Sequence, residues 1–462
     1  MADITPARSA AFEVLRRVFE HGAWADRAFP AAAQRHRLDS RERAQAQRLA
    51  YGAVERRGTA DDLIERLSGR APERLDPPVA AALRLGLFEL LFAAATPDHA
   101  AVDQAVELAK RGLGTDRPVR GPAGVVNAVL RRAARERERI LGGLTDATPA
   151  EAAVAHSYPR WLAEMWWREL GPETARSVMA GMNEPAETAV RVNTLRADPD
   201  AIERELREAG QEVERGSGAW LLSPAEALVL NGRLTEAARR LLARSDLLAQ
   251  SRASQAVVAL LDPRPGERVL DLCAGPGIKT TAIAARMRDE GEVVAVEIDP
   301  GRASQLRELA GRAGAASVRV IEADAASADV GDGYDRVLVD PPCSDLGALA
   351  SRPDARWRKS PALIERLASL QDAILERGTR ALRPGGTLVY SVCTISVAEA
   401  ERPIAKVLDD DPGLEADDLG RELPDLASPH GGRFLRTRPD RDRTDGFFFA
   451  RLRRRDPTAG EG

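Results

Sequence analysis

The hydrophobic positions of the first 140 residues follow a helical spacing. Phe12, Leu15 and Phe19 lie three and four residues apart, and the same spacing recurs in LRLGLFELLF (83–92) and GPAGVVNAVLRR (121–132). Apolar residues at this period place one side of a helix against a core, whereas strands alternate with a period of two. The pattern predicts an all-α bundle over residues 1–142.

A segment containing Gly, Thr and Pro, LGGLTDATPA (141–150), then predicts a linker. Residues 150–245 mix helical and extended patterns and predict a small α/β linking module. We expect a helix over His156–Leu170, a helix over Asp198–Ala209, and extended runs over Thr188–Leu195 and around Ala219–Leu222. The first helix carries three tryptophans, which more often form a core than a platform for stacking RNA bases.

From residue 246 to residue 455 the pattern alternates between apolar strands and helices. The predicted strands are RVLDLC (268–273), VVAVEID (293–299), RVIEAD (319–324), RVLVD (336–340) and TLVYSVC (387–393). Helices are expected to begin near Lys279, Pro300 and Pro361. Such alternation predicts a doubly wound, Rossmann-like α/β domain with a mostly parallel sheet. The late FFFARL (447–452) predicts an antiparallel strand at the edge of that sheet.

Length and composition limit the class of protein. A chain of 462 residues with 44% hydrophobic residues suggests two or three globular domains. No apolar run approaches the ~20 residues that span a bilayer, and the N-terminus lacks a signal-peptide core, so we expect a cytoplasmic protein without membrane contact. Residues 1–140 hold 24 Lys+Arg against 19 Asp+Glu, whereas the whole chain has a net charge of −4. This balance fits either phosphate contacts or an ordinary solvated surface.

Cysteine and lysine usage is more informative. The chain has three cysteines, without a CxxC pair or a neighbouring histidine, which predicts reduced thiols and no metal site. Nearly all basic side chains are arginines. In such a chain a lysine within a loop suggests a need for a compact ammonium. The only lysines are Lys110, Lys279, Lys359 and Lys406.

Chemically distinctive residues follow the predicted strands, where ligands bind in doubly wound sheets. The first strand leads into a glycine loop, Cys273-Ala274-Gly275-Pro276-Gly277-Ile278-Lys279, which by itself suits NAD, FAD, ATP or S-adenosylmethionine. Glu297 at the second strand suits a ribose diol, and Asp324 at the third suits an adenine amino group. Because the loop lacks the full G-x-G-x-x-G register, the set favours one adenosine over a dinucleotide.

Two cysteines follow the last two parallel strands. Cys343 stands in Asp340-Pro341-Pro342-Cys343, where the prolines stiffen the turn into a wall for a planar base. Cys393 ends the next strand. Each cysteine alone is more often an inert buried thiol, but two beside a glycine loop favour a functional site.

A thiol suits methylation at carbon 5 of cytosine, which is a poor nucleophile. Addition of a thiolate to carbon 6 makes carbon 5 enamine-like, so that it attacks a sulfonium methyl group. Asp340 and Lys279 are candidates for stabilising charge at ring nitrogen N3. A free thiol has a pKa of about 8.5, so we expect the cleft to lower the pKa of the nucleophile through Lys279, the sulfonium or both.

At these residues the sequence resembles the Nol/Nop/Sun family of RNA cytosine-5 methyltransferases, over nearly the whole chain. Its N-terminal part resembles the NusB-type helical RNA-binding domain of one subfamily. The segments that carry the resemblance are AYGAVERRGTADDLIERLSGR (50–70), HAAVDQAVELAKR (99–111), HSYPRWLAEMWW (156–167), GERVLDLCAGPGIKT (266–280), VDPPCSDLG (339–347), RPDARWR (352–358), YSVCT (390–394) and DGFFFARL (445–452).

The resemblance implies roles for matching positions. Cys393 would be the attacking thiol, and Cys343 would assist breakdown of the covalent adduct. S-adenosyl-L-methionine would be bound by the set Cys273, Ala274, Gly275, Pro276, Gly277, Ile278, Lys279, Glu297, Asp324 and Asp340. The family commonly has a second glycine where Ile278 stands, and its Glu-Asn-Glu appears here as Glu399-Ala400-Glu401.

Small-subunit (16S) ribosomal RNA is the substrate that the NusB-like part favours, and transfer RNA stays open. Three other hypotheses for the function also remain: a non-catalytic RNA-binding or assembly protein, an amino-group methyltransferase suggested by Asp-Pro-Pro, and a nicotinamide enzyme.

Overall fold

A computed structural model describes residues 4–93, 97–114, 121–216, 225–352 and 354–456. Their contacts divide the chain into two compact units. The first unit comprises the described residues up to Asn183 together with Leu349–Arg358, and the second comprises Glu184–Ala348 together with the described residues from Lys359 onward. Within the described ranges, no helix is both long and apolar enough to cross a membrane.

The first unit is helical throughout, which confirms the predicted all-α bundle. Its helices are α1 (Pro6–His21), α2 (Ala25–Arg35), α3 (Ser40–Glu55), α4 (Arg57–Ser68), α5 (Pro77–Phe92), α6 (Asp98–Gly112), α7 (Pro122–Arg135), α8 (Arg137–Gly142), α9 (Pro149–Ala155), α10 (Arg160–Leu170) and α11 (Pro172–Gly181). Helix α5 lies at the centre and is buried on almost every side. A Cβ at Gly86 would lie 2.5 Å from Leu130 Cδ1, so glycine lets α5 and α7 pack closely.

Helices α9 to α11 pack in this unit, although the sequence grouped them with the linking module. In α10, Trp166 is fully buried and its ring meets that of Tyr158 edge-on at 5.4 Å. For this tryptophan the structure shows the core role rather than an exposed stacking platform.

The segment Leu349–Arg358, which contains the RPDARWR motif (352–358), also belongs to the first unit. The guanidinium of Arg356 is fully buried 4.0 Å from the ring centre of Tyr158, and its Nη1 donates to Oδ1 of Asn183 at 2.8 Å. Nε1 of Trp357 donates to the carbonyl of Val54 at 2.9 Å. The motif is therefore a structural anchor within this unit.

The second unit begins with a small antiparallel sheet, as expected for an α/β module. The elements are β1 (Ala189–Val192), α12 (Pro199–Glu208), β2 (Glu212–Arg215), β3 (Ala227–Asn231), α13 (Glu236–Ala243) and β4 (Leu247–Ala249), and the strand order is β2-β3-β1-β4. The extended run predicted around Ala219–Leu222 lies outside the described residues.

A larger, mostly parallel sheet follows and confirms the predicted doubly wound fold. Its elements are α14 (Arg252–Leu261), β5 (Arg268–Asp271), α15 (Ile278–Arg286), β6 (Glu292–Glu297), α16 (Pro300–Ala313), β7 (Val318–Glu322), β8 (Tyr334–Val339), α17 (Pro361–Ala381), β9 (Leu382–Val392), α18 (Glu401–Asp410), β10 (Leu414–Ala416), α19 (Leu419–Glu422), β11 (Leu435–Arg436), α20 (Pro439–Asp442) and β12 (Phe448–Arg454). The strand order is β10-β12-β9-β8-β5-β6-β7, and β11 pairs with β12.

One detail of the strand prediction is wrong. Strand β12 runs antiparallel to β9 as expected, but it does not form the edge of the sheet, because β10 pairs with its other side. The three-residue β10 has a weak pattern, so sequence periodicity could not reveal this outer strand.

Alternate residues of the central strands enter two separate cores, one on each face of the sheet. Leu270 and Val337 join the core that includes α17, whereas Val269 and Leu338 join the core that includes α14 and α15. Burial on both faces explains the continuous apolar strands. It also leaves the carboxyl ends of β5, β6, β8 and β9 at one edge of the sheet, where the polar residues of the candidate site lie.

Candidate active site

The glycine loop between β5 and α15 has the shape of a ligand cradle. Gly275 and Gly277 have φ angles of +56° and +96°, in the left-handed region that favours glycine. A Cβ at Gly275 would point into open space, whereas one at Gly277 would lie 3.0 Å from Leu306 Cγ. The space beside Gly275 is therefore available to a ligand, while Gly277 permits close packing on α16.

Four carboxylates lie near Cys273 in this loop. Burial, followed by the negative charges of Asp271, Asp340, Glu297 and Asp324, raises the pKa of the Cys273 thiol well above its ordinary value. The structure thus brings Glu297, Asp324 and Asp340, which the sequence placed at three strand ends, to the same edge of the sheet.

Glu297 and Asp324, two of these acidic residues, differ in their exposure to solvent. Glu297 is buried, and its Oε1 accepts from the backbone N–H of Asp299 at 2.9 Å. Asp324 is exposed two residues beyond the end of β7, and its Oδ1 accepts from the N–H of Ala326 at 3.0 Å. Both carboxylates are therefore held by local turns at the sheet edge.

Sequence reasoning missed Asp271, the last residue of β5. Its Oδ2 accepts from Thr280 Oγ1 at 2.8 Å, while its buried Oδ1 has no hydrogen-bond partner in the described part of the chain. Burial raises the pKa of Asp271 to about 7. An unpartnered carboxylate oxygen behind a glycine loop is suited to a cationic ligand group. The position of Asp271 at the end of a strand, before the glycine loop, is the sequence feature that could have identified it as a site residue.

The buried Asp271 carboxyl predicts a pH-dependent stability difference. Because its pKa is raised, the native state holds a proton that the unfolded chain releases, and stability declines as the pH rises from about 4 to about 7. Asp271→Asn should remove this decline, worth about 1.4 kcal/mol per pH unit and up to about 4 kcal/mol in all. Calorimetric Tm values at pH 4.5 to 8 test whether the variant gains stability relative to wild type as the pH rises.

Asp417→Asn provides a control of opposite sign. Burial would raise the pKa of Asp417, but hydrogen bonds from Arg453 and Arg451 outweigh burial and lower it. Its contribution is present above the unfolded pKa and is lost as the pH falls through the lower folded value. We therefore expect Asp417→Asn to lower Tm at neutral pH. A parallel pH dependence in wild type and Asp271→Asn would contradict the role assigned to Asp271.

Lys279 and Asp340 form an ion pair beside the loop. Lys279 Nζ lies 2.6 Å from Asp340 Oδ2, and Asp340 Oδ1 accepts from Ser391 Oγ at 3.0 Å. Burial alone would lower the pKa of Lys279, but the Asp340 carboxylate outweighs it and the pKa is raised. Lys279 is therefore a positively charged group at neutral pH and cannot serve as a base.

The two strand-end cysteines lie in contact. Strands β8 and β9 are parallel neighbours, and the Sγ atoms of Cys343 and Cys393 are 3.2 Å apart. The N–H of Gly347 donates to the carbonyl of Cys393 at 3.0 Å and ties the two loops together. The adjacency expected from the strand order is therefore present.

Lys279 alone does not give Cys393 the lowered pKa that the sequence predicts. The hydrogen bond with Cys343, followed by burial and nearby negative charge, raises the pKa of Cys393 well above its ordinary value. The Lys279 ammonium interacts electrostatically with Cys393, but together with its partner Asp340 it does not outweigh these effects. The thiol is therefore protonated at neutral pH, and a nucleophilic role requires a proton acceptor.

Glu399 accepts hydrogen bonds from residues of both loops that carry the cysteines. Its Oε1 accepts from the N–H of Ser344 at 2.8 Å and from Gln371 Nε2 at 3.2 Å, and its Oε2 accepts from Thr394 Oγ1 at 3.4 Å. Burial raises the pKa of this carboxyl. The side chain therefore positions both loops. The sequence marked Glu399 only as part of a family motif, and Gln371 carries no local signal because it lies mid-helix in α17.

Asp345 and Lys359 complete the surroundings of the thiols and were also missed as site residues. Cys393 Sγ donates to Asp345 Oδ1 at 3.2 Å, and Lys359 Nζ donates to Asp345 Oδ2 at 3.0 Å. Because lysine is rare in this chain, Lys359 could have been recognised from the sequence as a candidate site residue. The absence of a metal stays a prediction, because Cys343, Asp345 and Cys393 offer three ligand atoms within 4.8 Å of one another.

Models of three protein families match consecutive parts of the chain. They describe the NusB family (residues 5–135), an RsmF/B-like ferredoxin-like domain (158–232) and the 16S rRNA methyltransferase RsmB/F (258–453). A probable ribosomal RNA small subunit methyltransferase B from Synechocystis is 33% identical and matches 97% of this chain and 99% of its own length. The chain belongs to the RsmB/F methyltransferase family.

Other similar proteins agree with RsmB/F membership. The ribosomal RNA small subunit methyltransferase B of Thermus thermophilus is 34% identical, with 97% of each chain covered. A crystal structure of PH0851 has a TM-score of 0.77 and 27% identity, and covers 98% of this chain and 99% of that one. The cleft thus belongs to an enzyme of the RsmB/F family, and the predicted family resemblance is confirmed.

Proposed function

We propose that this protein transfers a methyl group from S-adenosyl-L-methionine to carbon 5 of a cytidine in small-subunit ribosomal RNA through a covalent bond between Cys393 Sγ and carbon 6. The contact between two thiols at the ends of neighbouring strands carries this proposal. Methylation at carbon 5 requires one thiol to add to the ring and a second group to help the adduct break down. The 3.2 Å separation lets both groups reach the same base.

The residues around the glycine loop fit the proposed cofactor. Asp271 offers an unpartnered, buried carboxylate oxygen, and Gly275 leaves open space beside the backbone. Buried Glu297 suits a ribose diol, and exposed Asp324 suits an adenine amino group. When bound, S-adenosylmethionine supplies an electrophilic methyl group. Cys273, Ala274, Pro276 and Ile278 would line the same loop.

The ion pair of Lys279 and Asp340 would act on the pyrimidine ring. When sulfur adds to carbon 6, electrons move toward N3, which gains negative charge. A charged ammonium beside Asp340 would stabilise that charge, and the partly buried pair would not need to reorganise. The rigid Pro341-Pro342 turn would form the wall against which the base lies.

Relatives and domain composition support the proposed RNA class. The similar proteins from Synechocystis and Thermus thermophilus carry the name ribosomal RNA small subunit methyltransferase B, and the N-terminal part matches the NusB family. The target base must leave its stack to reach a thiol, at a cost of a few kcal/mol, so an unpaired loop is the expected target.

Amino-group methylation is a second candidate, because Asp340-Pro341-Pro342 forms a turn that suits it. That chemistry uses the lone pair of an exocyclic amine and requires no covalent thiol. The two candidates therefore differ in their products: 5-methylcytidine in the first case, and N4-methylcytidine or N6-methyladenosine in the second.

The deciding experiment incubates the protein with methyl-labelled S-adenosylmethionine and total RNA, followed by nucleoside mass spectrometry of the separated ribosomal and transfer RNA. We expect label in 5-methylcytidine from small-subunit RNA. Label in an amino-methylated nucleoside would overturn the cytosine-5 proposal, and label confined to transfer RNA would overturn the substrate assignment. Absence of both labelling and S-adenosylmethionine binding would favour a non-catalytic RNA-binding role.

A further inference from the structure

We propose that Asp345 is a further catalytic residue, which accepts the proton of the Cys393 thiol as its sulfur attacks the base, and that Lys359 holds Asp345 in position. This inference rests on the proposed function. Asp345 Oδ1 lies 3.2 Å from Cys393 Sγ, which is hydrogen-bonding distance for a thiol donor. The reacting atom and its acceptor are therefore already in contact.

The electrostatic setting of Cys393 calls for such an acceptor. The charged groups that act on the sulfur are Asp345 and Asp340 after β8 and Lys279 at the start of α15, with Cys343 as the neighbouring thiol and Lys359 before α17 bound to Asp345. Burial and the contact with Cys343 keep the thiol protonated, and Lys279 is paired with Asp340. Asp345 is the carboxylate whose oxygen contacts Cys393 Sγ directly.

Backbone geometry and the lysine partner both aim this carboxylate at the sulfur. Asp345 has a φ of +56°, in the left-handed region that non-glycine residues seldom occupy, and Asp and Asn tolerate it better than most. Lys359 Nζ holds Oδ2 at 3.0 Å, and the lysine side chain is only 8% exposed. With Oδ2 engaged by an ammonium, Oδ1 faces Cys393. Such local strain is typical of functional positions.

The proposed step is balanced in atoms and electrons. The S–H bond of Cys393 breaks, its proton moves to Asp345 Oδ1, and its electron pair forms the bond to carbon 6. After methylation, carbon 5 loses its proton to solvent water, the electron pair of the C5–H bond forms the carbon 5–carbon 6 double bond again, and sulfur leaves with the electron pair of the S–C bond. Sulfur then recovers the proton from Asp345, so both residues return to their starting states.

Asp345→Asn tests the proposal without a change of shape, since asparagine suits the same backbone angles. The probe is small-subunit ribosomal RNA transcribed with 5-fluorocytidine, which traps the adduct because fluorine cannot leave carbon 5 as a proton does. In the presence of S-adenosylmethionine we expect adduct formation at pH 7 to be at least about 100-fold slower than in wild type. The rate should rise by up to tenfold per pH unit, because only thiolate attacks in the variant.

Asp372→Asn is the matched control, because Asp372 is also paired with a lysine, Lys406 Nζ at 2.9 Å, on the exposed surface between α17 and α18. It should form adduct at the wild-type rate. Alkylation of Cys393 by iodoacetamide at pH 9 should be at least as fast in Asp345→Asn as in wild type, since a nearby negative charge is lost.

Three results would overturn the role of Asp345: adduct formation at the wild-type rate or faster, a slow rate that is equally slow at every pH, or a Cys393 that iodoacetamide no longer reaches. Failure of wild type to form any adduct would instead count against the proposed function. Lys359→Met, which releases Oδ2, should slow adduct formation less than Asp345→Asn does, and an unchanged rate would remove Lys359 from the mechanism.

Discussion

Cys393→Ala is expected to abolish methylation of RNA, with a loss of up to about 10⁶-fold, as happens when the nucleophile of a covalent mechanism is removed. Without sulfur, carbon 6 gains no substituent and carbon 5 remains part of an aromatic, electron-poor ring. Under the proposed mechanism the remaining groups would still bind and orient the base but would not make carbon 5 nucleophilic. Transfer of labelled methyl groups to small-subunit RNA, measured in single turnovers, gives the size of the loss.

Cys393→Ser sharpens this test because it retains the size and the hydrogen bonding of the side chain. An alcohol has a much higher pKa than a thiol and is a poorer nucleophile, so the serine variant should also be inactive. Binding of S-adenosylmethionine, measured by titration calorimetry, should persist in both variants and show that the fold is intact. Methylation that survives in Cys393→Ala would rule out the covalent mechanism and favour amino-group methylation.

Cys343→Ala is expected to accumulate a covalent complex between protein and RNA. Two effects act in the same direction. The hydrogen bond between Cys393 and Cys343 is the largest cause of the raised pKa of Cys393, so its loss should ease attack on the base. Cys343 is also the group proposed to assist release of the methylated product. A slower-migrating band of labelled RNA that survives a denaturing gel measures this adduct, and net methylation should fall.

The double variant Cys343→Ala, Cys393→Ala is the control, and its adduct band should disappear. An adduct that persists in the double variant would involve some other residue. If Cys343→Ala releases product at the wild-type rate and forms no band, then Cys343 does not assist breakdown, and the thiol contact at 3.2 Å would serve only to hold Cys393 protonated.

Local patterns were sufficient for the architecture. Helices and strands bury side chains at regular intervals along the chain. The helical spacing of Phe12, Leu15 and Phe19 and the continuous apolar strands could therefore be recognised without knowing which elements pack against them. The same reasoning failed for β10, whose three residues are too few to show a period, and thereby misplaced β12 at the sheet edge. Residues such as Arg356 carry no local signal, because their partners lie more than a hundred positions away.

The candidate site likewise has some features that the sequence predicts and others that it does not. The order of strands and the residues that follow them were enough to place Cys343, Cys393, Lys279 and Asp340 at one edge, because parallel strands end together. Protonation depends instead on distances of a few ångströms between groups from different loops, which sequence spacing does not contain. Only the tertiary structure could show that Lys279 is engaged by Asp340, that the Cys393 thiol is protonated, and that Asp345 stands beside it. The order of the strands in the sequence thus determined which groups lie at the same edge of the sheet, whereas the packing of their loops determined the protonation state of each group.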